Sequence, residues 1–374
     1  MSMDGVVEGV WGEAASLPKR LTAAGVACLL RLLLGLSALW CAAGASVASE
    51  AVRQTGSAAS ARGSQDASAT RERDVMQWIE RVQSAPCRHA YTGTFVVLSA
   101  SGAMSTSKIW HACDERHRLE RVESLSGHRR TVFRRNDEVR TFSQDTRTVR
   151  TDRRDTATTF PRVAWVEGTA VAQYYAATRL GQDRVAGYLA DVVWFKPLDN
   201  LRFGYRLWSE VDTGLVVKLQ TLAPDGKVLE NAAFSELDLR APIEPEQIAR
   251  QMDMTDGFRE VIARVTKTSA QAEGWALRQP VAGFVPVSCH QRTMVVADAP
   301  SKVLQCLYSD GMTSVSLFVE PFDPQRHPDK AHAASMGATH ILGQRLNPDA
   351  WVTAVGEVPM HTLKLFAGQF QRIR

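Results

Sequence analysis

Residues 191–239 have the sequence DVVWFKPLDNLRFGYRLWSEVDTGLVVKLQTLAPDGKVLENAAFSELDL, in which apolar runs are separated by turn-forming residues at 197–200, 212–214 and 224–226. One of these runs has apolar residues at alternate positions: Leu201, Phe203, Tyr205 and Leu207. A period of two residues bounded by such turns is typical of antiparallel hairpins. The stretch therefore predicts a β-meander. Similar strand and turn signals recur in much of the rest of the chain.

The N-terminus has the pattern of a secretory signal. A Lys-Arg pair at 19–20 precedes an apolar run at 32–40, and small residues follow it. This order predicts a signal peptide over residues 1–48, with cleavage after Ala45 or Ala48. The alternative is an uncleaved membrane anchor, which is disfavoured because an arginine lies within the apolar span and is costly in hydrocarbon.

The remainder of the chain divides by composition. Residues 49–73 contain almost no large apolar side chains and predict a disordered spacer, because such a segment cannot bury enough surface to offset its ordering entropy. Roughly 300 residues follow, which is room for two domains. We expect a β domain at 74–256, a linker at 257–273, where the sequence turns polar, and a small C-terminal domain at 274–374.

Local patterns predict several elements within these domains. Asp74 is a suitable N-cap for a helix whose apolar residues recur on one face at Val75, Trp78, Ile79 and Val82. Polar composition predicts loops at 144–159 and 321–334. A short helix is expected near 246–254, and a longer helix is expected to end the chain.

The cysteines predict disulfides. Two of the six lie in the predicted leader, which leaves Cys87, Cys113, Cys289 and Cys306 in an oxidising compartment. Four cysteines allow three pairings. We favour Cys87–Cys113 and Cys289–Cys306, since each pair flanks a plausible hairpin within one domain. A metal site is the alternative, but the chain lacks CxxC or Cys/His ligand spacing, so no metal is predicted.

Charged residues are unevenly distributed along the sequence, although the net charge is only +4. One region is crowded with arginines: Arg116, Arg118, Arg121, Arg129, Arg130, Arg134, Arg135, Arg140, Arg147, Arg150, Arg153 and Arg154. Solvated strand faces and loops explain most such clusters. The alternative is an anionic partner such as lipid headgroups or an acidic peptide. Nucleic acid is disfavoured by the export signal.

Catalytic motifs are absent from the sequence. The chain has no GxSxG elbow, HExxH pair, phosphate-binding glycine loop or dinucleotide fingerprint, and its nine histidines are scattered. We therefore predict a binding protein with no cofactor and no enzymatic activity.

Aromatic residues are concentrated in the predicted sheet and in the segment that crosses it. Most are explained as ordinary core. A strongly curved sheet with few helices can nevertheless keep an apolar cleft for acyl chains or an apolar peptide. The residues expected to line such a cleft are Phe95, Trp110, Phe142, Trp165, Tyr174, Tyr175, Phe203 and Tyr205.

Five short motifs, in this order along the chain, resemble those of the MucB/RseB regulators of the envelope-stress sigma factor. They are RVAG at 184–187, DTGL at 212–215 (preceded by Trp208), DGKVLE at 225–230, LYSDG at 307–311 and VGEVP at 355–359. The resemblance extends from about residue 74 to the C-terminus.

This resemblance implies an α+β protein of the periplasm. Its large domain would be a lipoprotein-carrier-like, unclosed antiparallel β-barrel with helices, joined to a smaller mixed α/β domain. Such proteins are negative regulators in the envelope stress response. They bind the periplasmic part of a membrane-spanning anti-sigma factor and shield it from site-1 proteolysis until a lipid or lipoprotein signal releases them.

The resemblance carries no catalytic residues. It leaves open the releasing ligand, self-association into a homo-oligomer, and the role of the arginine cluster. The alternative function is that of a plain periplasmic carrier of lipoproteins or lipids. For the regulator, we expect the ligand to act by shifting the two domains about the 257–273 linker, which requires that it prefer the released arrangement.

Overall fold

The computed structural model describes residues 73–114, 116–153, 170–262, 265–296 and 299–373. The predicted signal peptide, nearly all of the predicted spacer, and Trp165 lie outside the described residues. The described helices are few and short: α1 Val75–Ser84, a 3₁₀ helix Pro86–Arg88, α2 Val171–Tyr174, α3 Pro245–Asp253 and α4 Met360–Gln369.

Helix α1 begins where the sequence predicts. The Asp74 side chain accepts a hydrogen bond from the Gln77 backbone N–H at 2.8 Å, and the Gln77 side chain accepts one from the Asp74 backbone N–H at 3.1 Å. This reciprocal capping satisfies two N–H groups that the helix itself cannot pair. The predicted apolar face is buried.

The larger sheet has twelve strands. They are β1 Tyr91–Ser99, β2 Met104–Cys113, β3 Arg118–Ser124, β4 Arg130–Arg135, β5 Glu138–Ser143, β6 Thr148–Arg153, β7 Tyr175–Val185, β8 Tyr188–Pro197, β9 Gly204–Glu210, β10 Val216–Leu222, β11 Val228–Asp238 and β12 Arg259–Ile262. Their spatial order is β12-β6-β5-β4-β3-β2-β1-β11-β10-β9-β8-β7.

The larger sheet is an unclosed meander. Neighbouring strands pair antiparallel except at β12, which pairs parallel to β6. In the described part of the chain, β12 and β7 end the sheet on opposite sides and do not pair with each other. The fold class predicted from the sequence is therefore confirmed, including the hairpins of residues 191–239.

One loop prediction in this region is wrong. Within the polar segment 144–159, residues Thr148–Arg153 form β6, which pairs with β5. Val149 and Asp152 are buried there, and Asp152 is 2.9 Å from Arg150 across an ion pair. Because β6 carries two threonines and a buried valine between charged residues, its high polarity concealed a strand with one inward face.

The smaller sheet has seven strands, all antiparallel, in the spatial order β13-β15-β16-β17-β20-β19-β18. They are β13 Val265–Thr268, β15 Val285–Val296, β16 Ala299–Ser309, β17 Ser314–Pro321, β18 His332–Met336, β19 Thr339–Asn347 and β20 Ala350–Gly356. A separate ribbon pairs β14 Trp275–Leu277 with β21 Phe370–Arg372.

Two further differences from the sequence predictions concern this region. The expected loop at 321–334 ends in β18, an edge strand whose residues are mostly exposed and therefore give no apolar alternation. The segment 257–273 contains β12 and β13, so it contributes one edge strand to each sheet.

Four hydrophobic clusters hold the elements that carry the residues discussed below. The α1 cluster joins Val75, Trp78, Ile79 and Val82 to Val171, Tyr175, Val193, Phe195, Tyr205, Leu207, Val216, Leu219 and Met312. The α3 cluster joins Ile248 and Met252 to Leu119, Phe133, Phe142 and Val149. The strand cluster comprises Tyr91, Phe95, Ile109, Val185, Ala190, Val192, Trp208, Leu215, Val217 and Phe234. The small-sheet cluster includes Val315, Leu317, Val352 and Ala354 packed on Leu363 and Phe366 of α4.

Candidate functional site

The aromatic residues of the predicted cleft lie in separate parts of the core. Phe95 belongs to the strand cluster, and Phe142 belongs to the α3 cluster, against which Trp110 also packs. Phe142 makes edge contacts with Phe133 and Phe258, with ring centroids 5.4 and 5.2 Å apart.

The remaining described members lie nearer the smaller sheet. Tyr175 and Tyr205 are buried in the α1 cluster, and Tyr174 packs against that cluster. Phe203 is buried, and its ring centroid lies 5.6 Å from that of His340 on β19. The structure thus brings Tyr174, Tyr175 and Tyr205 together but keeps them apart from Phe95 and Phe142.

An open groove lies where the arginine-rich strands meet α3. It has a volume of about 470 Å³. Its apolar wall includes Leu119, whose side chain belongs to the α3 cluster, and Ala249 of α3. Arg116, His117 and Arg135 supply basic groups at the same groove, together with the acidic Asp114 and Glu246. This volume is within the range of small-molecule sites in proteins, and the lining combines apolar surface with positive charge.

The two sheets meet at a fully buried arginine. Arg202, in the turn before β9, has no exposed surface. Its guanidinium lies 3.4 Å from the Asp310 carboxylate of the smaller sheet and 3.1 Å from Asp199. It also donates a hydrogen bond of 2.7 Å to the Ala282 backbone carbonyl and lies 4.4 Å from the centre of the Tyr174 ring. Planar stacking and several donors make arginine suited to such a site.

Asp310 completes this junction from the other side. Its Oδ1 atom accepts hydrogen bonds of 2.8 Å from the backbone N–H groups of Met312 and Thr313, and its Oδ2 atom accepts one of 3.1 Å from the Tyr175 hydroxyl. Burial raises the pKa of the Asp310 carboxyl, and the positive charge of Arg202 opposes that rise. The buried aspartate therefore depends on its partners to remain ionised.

Other contacts reinforce the same junction. Met312 belongs to the α1 cluster of the larger sheet although it lies in the turn before β17. The Thr362 hydroxyl of α4 donates a 2.8 Å hydrogen bond to the Leu201 carbonyl. Gly283 approaches Arg202 so closely that a Cβ atom there would lie 2.8 Å from the guanidinium. Side chains from both sheets therefore share one packed interior at this point.

Sequence reasoning missed the roles of Arg202 and Asp310. Arg202 falls at a polar position of an alternating run, which predicts an exposed side chain. Asp310 is part of a hairpin-turn signal, and it does form that turn, but nothing in a turn motif indicates that the carboxylate also contacts another sheet. The only local sign is the apolar Met312 two residues later, which is 4% exposed.

Both disulfides of the favoured pairing are formed. Cys87 is bonded to Cys113, and Cys289 is bonded to Cys306. Ligand atoms of Cys87, His111 and Cys113 lie within 4.8 Å of one another, but the two sulfurs are joined in the disulfide rather than available as thiolate ligands.

Among the described helices, none has the length and apolarity needed to cross a membrane.

Comparison with known proteins assigns the chain to a family. The model of the MucB/RseB N-terminal domain matches residues 74–252, and that of the MucB/RseB C-terminal domain matches residues 269–371. The chain belongs to the MucB/RseB family. The resemblance seen in the sequence is confirmed, and the two matches cover both sheets except for the edge strands β12 and β13.

Characterised members of the MucB/RseB family are regulators of sigma factors. The chain is 28% identical to the sigma factor AlgU regulatory protein MucB of Pseudomonas aeruginosa over 304 residues, which is 80% of this chain and 91% of that protein. It is 22% identical to the sigma-E factor regulatory protein RseB of Escherichia coli K12 over 278 residues, covering 74% and 84% of the two chains.

Solved structures of MucB share the fold. A crystal structure of MucB in complex with MucA(peri) aligns with a TM-score of 0.61 at 25% identity, over 80% of this chain and all of that chain. A crystal structure described as the MucA/MucB complex of Pseudomonas aeruginosa aligns with the same TM-score and identity, over 79% and 98% of the two chains.

Proposed function

We propose that this protein is a periplasmic negative regulator of an envelope-stress sigma factor. It binds the periplasmic segment of a membrane-spanning anti-sigma factor and shields that segment from site-1 proteolysis. The observation that carries the proposal is the alignment of both sheets, over 80% of this chain, with a MucB that was crystallised bound to MucA(peri).

The fold is suited to binding rather than catalysis. Two of its buried ion pairs make structural contacts: Arg202 with Asp310 at 3.4 Å, and Glu320 with Arg326 at 3.1 Å. A regulator of this kind needs a surface of fixed shape and a way of losing affinity on a signal. The junction between the sheets supplies the fixed shape, because breaking it leaves charges buried without partners.

Direct binding tests this function. The purified protein is expected to bind the immobilised periplasmic segment of the anti-sigma factor encoded by the same organism. An unrelated acidic peptide of equal length is the control for charge attraction alone. Equal binding to both peptides would contradict the proposal. A plain lipid carrier, the alternative predicted from the sequence, would bind neither peptide specifically while still binding lipid.

For the releasing signal, we propose an anionic amphiphile that binds in the groove between the arginine-rich strands and α3. Pro245 and Ala249 offer apolar contact for a chain, and Arg116 and Arg135 offer positive charge for a headgroup. Arg135 is already held 3.0 Å from Asp253 of α3, so a competing anionic group there would act on the position of that helix. Such a ligand releases the partner only if it binds the released arrangement more tightly.

A matched pair of variants tests the ligand step. Arg116→Glu reverses an exposed charge that lines the groove, whereas Arg129→Glu reverses an exposed charge that pairs with Asp145 instead. Binding of a lysophospholipid with an anionic headgroup is expected to weaken in R116E and to persist in R129E. Equal effects of the two substitutions would contradict a groove site, because they would indicate only general charge attraction.

A further inference from the structure

The two disulfides lie in different chemical environments. Cys87 is exposed on the 3₁₀ helix that follows α1, and Cys113 ends β2. The Nε–H group of Arg118 donates a hydrogen bond of 3.2 Å to the Cys87 sulfur. A guanidinium at that distance attracts an incoming thiolate and stabilises a thiolate that forms on Cys87.

The other sulfur faces an imidazole. Nε2 of His111 lies 3.5 Å from the Cys113 sulfur, and Nδ1 lies 3.2 Å from Oε1 of Glu120. His111 is fully buried, and its ring stacks on Tyr91 with centroids 4.9 Å apart. With Nδ1–H held by the carboxylate, the Nε2 lone pair is directed at the sulfur. Sulfur, imidazole and carboxylate therefore stand in series.

The carboxylate at the end of this series, Glu120, is buried and has a second charged neighbour. Glu120 is 3% exposed, and its second oxygen lies 3.7 Å from Nε of the buried Arg134. Glu120 is thus positioned to balance the positive charge that His111 acquires when it accepts a proton.

The Cys289–Cys306 disulfide provides the contrast. It joins directly opposed residues of β15 and β16, and both cysteines are buried in the small-sheet cluster. In the described ranges of the chain, no side chain forms a hydrogen bond to either of its sulfurs. It has the surroundings of a purely structural cross-link.

We propose that Cys87–Cys113 is a thiol–disulfide exchange site that accepts electrons from a dithiol reductant. A thiolate of the reductant attacks the exposed Cys87 sulfur, the Cys87–Cys113 bond breaks, and Cys113 leaves with the electron pair. A proton from solvent then binds at Nε2 of His111 or at the Cys113 sulfur, so that the leaving group ends as a thiolate paired with an imidazolium or as a thiol.

The second half of the exchange restores the balance. The other thiol of the reductant loses its proton and attacks its own sulfur in the mixed disulfide, and Cys87 leaves as a thiolate beside Arg118. The reductant ends as a cyclic disulfide and has released two electrons and two protons. The protein gains the two electrons, and the two protons pass through solvent, one to the pair of Cys113 and His111 and one to the Cys87 thiolate. Reduction removes the covalent link between the 3₁₀ helix and β2, next to Asp114 at the groove.

Differential alkylation of the intact protein tests this site. Oxidised protein is treated with dithiothreitol at pH 7, quenched with acid at intervals, alkylated, and analysed by peptide mass spectrometry. Cys87 and Cys113 are expected to become alkylated at least about tenfold faster than Cys289 and Cys306, as expected for an exposed, electropositive site. Opening of both disulfides at one rate would overturn the proposal.

Variants separate the proposed chemistry from exposure alone. Arg118→Gln is expected to slow opening of Cys87–Cys113 severalfold, Arg118→Lys to restore much of the rate, and neither to alter Cys289–Cys306. His111→Gln is expected to shift the pH profile of Cys113 alkylation to higher pH in the reduced protein. A rate and a pH profile unchanged by these substitutions would overturn the proposal, and unfolding would be recognised because Cys289–Cys306 would then open faster as well.

Discussion

Replacing Asp310 with Asn tests whether the buried junction holds the two sheets together. The substitution keeps the shape and the acceptor for the Met312 and Thr313 N–H groups, but it removes the negative charge that faces Arg202 at 3.4 Å. Both side chains are fully buried, so Arg202 would lose its only fully buried anionic partner in the described part of the chain and keep the partly exposed Asp199. Breaking a buried pair in this way costs about 3–5 kcal/mol of unfolding free energy.

The assay is denaturant unfolding at pH 7.5, followed by tryptophan fluorescence. The matched control is Asp199→Asn, since Asp199 contacts the same Arg202 at 3.1 Å but is 28% exposed, and partly solvated pairs contribute about 0–1 kcal/mol. Adding Arg202→Met to the Asp310 substitution removes both charges and is expected to recover part of the loss. A loss below about 0.5 kcal/mol for D310N, or simple additivity in the double variant, would refute the reasoning.

Three further predictions concern stability. Burial lowers the pKa of His327 to about 4, so between pH 6.5 and 4 the unfolded chain binds a proton that the folded chain does not. The unfolding free energy should therefore fall by up to about 1.4 kcal/mol per pH unit as the pH decreases, and it should fall less steeply in His327→Gln; an equal slope in this variant would contradict the prediction. Gly93→Ala places a Cβ atom 2.7 Å from the Phe234 ring and should cost about 1–3 kcal/mol, measured as a lower melting temperature; an unchanged melting temperature would contradict the packing. Trp78→Ala empties a site that is 1% exposed in the α1 cluster and should cost about 3–5 kcal/mol by denaturant titration, whereas a cost below about 1 kcal/mol would mean that α1 is not part of the core.

The sequence predicts the sheet of residues 191–239 well because each of its strands has a distinct local signal. Turn residues mark the ends, and apolar residues recur with a period of two. The same reasoning finds α1, where an N-cap and an apolar stripe occur together. It fails at β6 and β18 because these edge and near-edge strands carry mostly polar side chains, which hide the apolar alternation.

The candidate site is harder to predict for a related reason. Arg202 and Asp310 are 108 positions apart (310 − 202) and meet only because two sheets pack together. His111 and Glu120 are closer in sequence, but their contact depends on the register of β2 with β3, which places them directly opposite each other. Pairing of cysteines could be inferred, since each pair lies within one region, whereas the groups that surround the sulfurs could not.

The predicted aromatic cleft shows the same limit. Composition indicates that the sheet is rich in aromatic side chains, but it does not indicate which of them share a space. Phe95 and Phe142 lie in different clusters, and the groove with both apolar and basic walls is formed by the arginine-rich strands and α3. Arg135 and Arg140 of the arginine cluster lie beside α3, where both pair with Asp253, and their charge pattern alone did not indicate this.

A proteolysis measurement tests the proposed regulator most directly. The periplasmic segment of the anti-sigma factor is incubated with its site-1 protease in the presence of increasing amounts of this protein, and the rate of cleavage is followed by gel. We predict that cleavage slows in proportion to the fraction of segment bound, and that an anionic amphiphile restores it. Cleavage at the same rate at a saturating concentration of the protein would contradict the account.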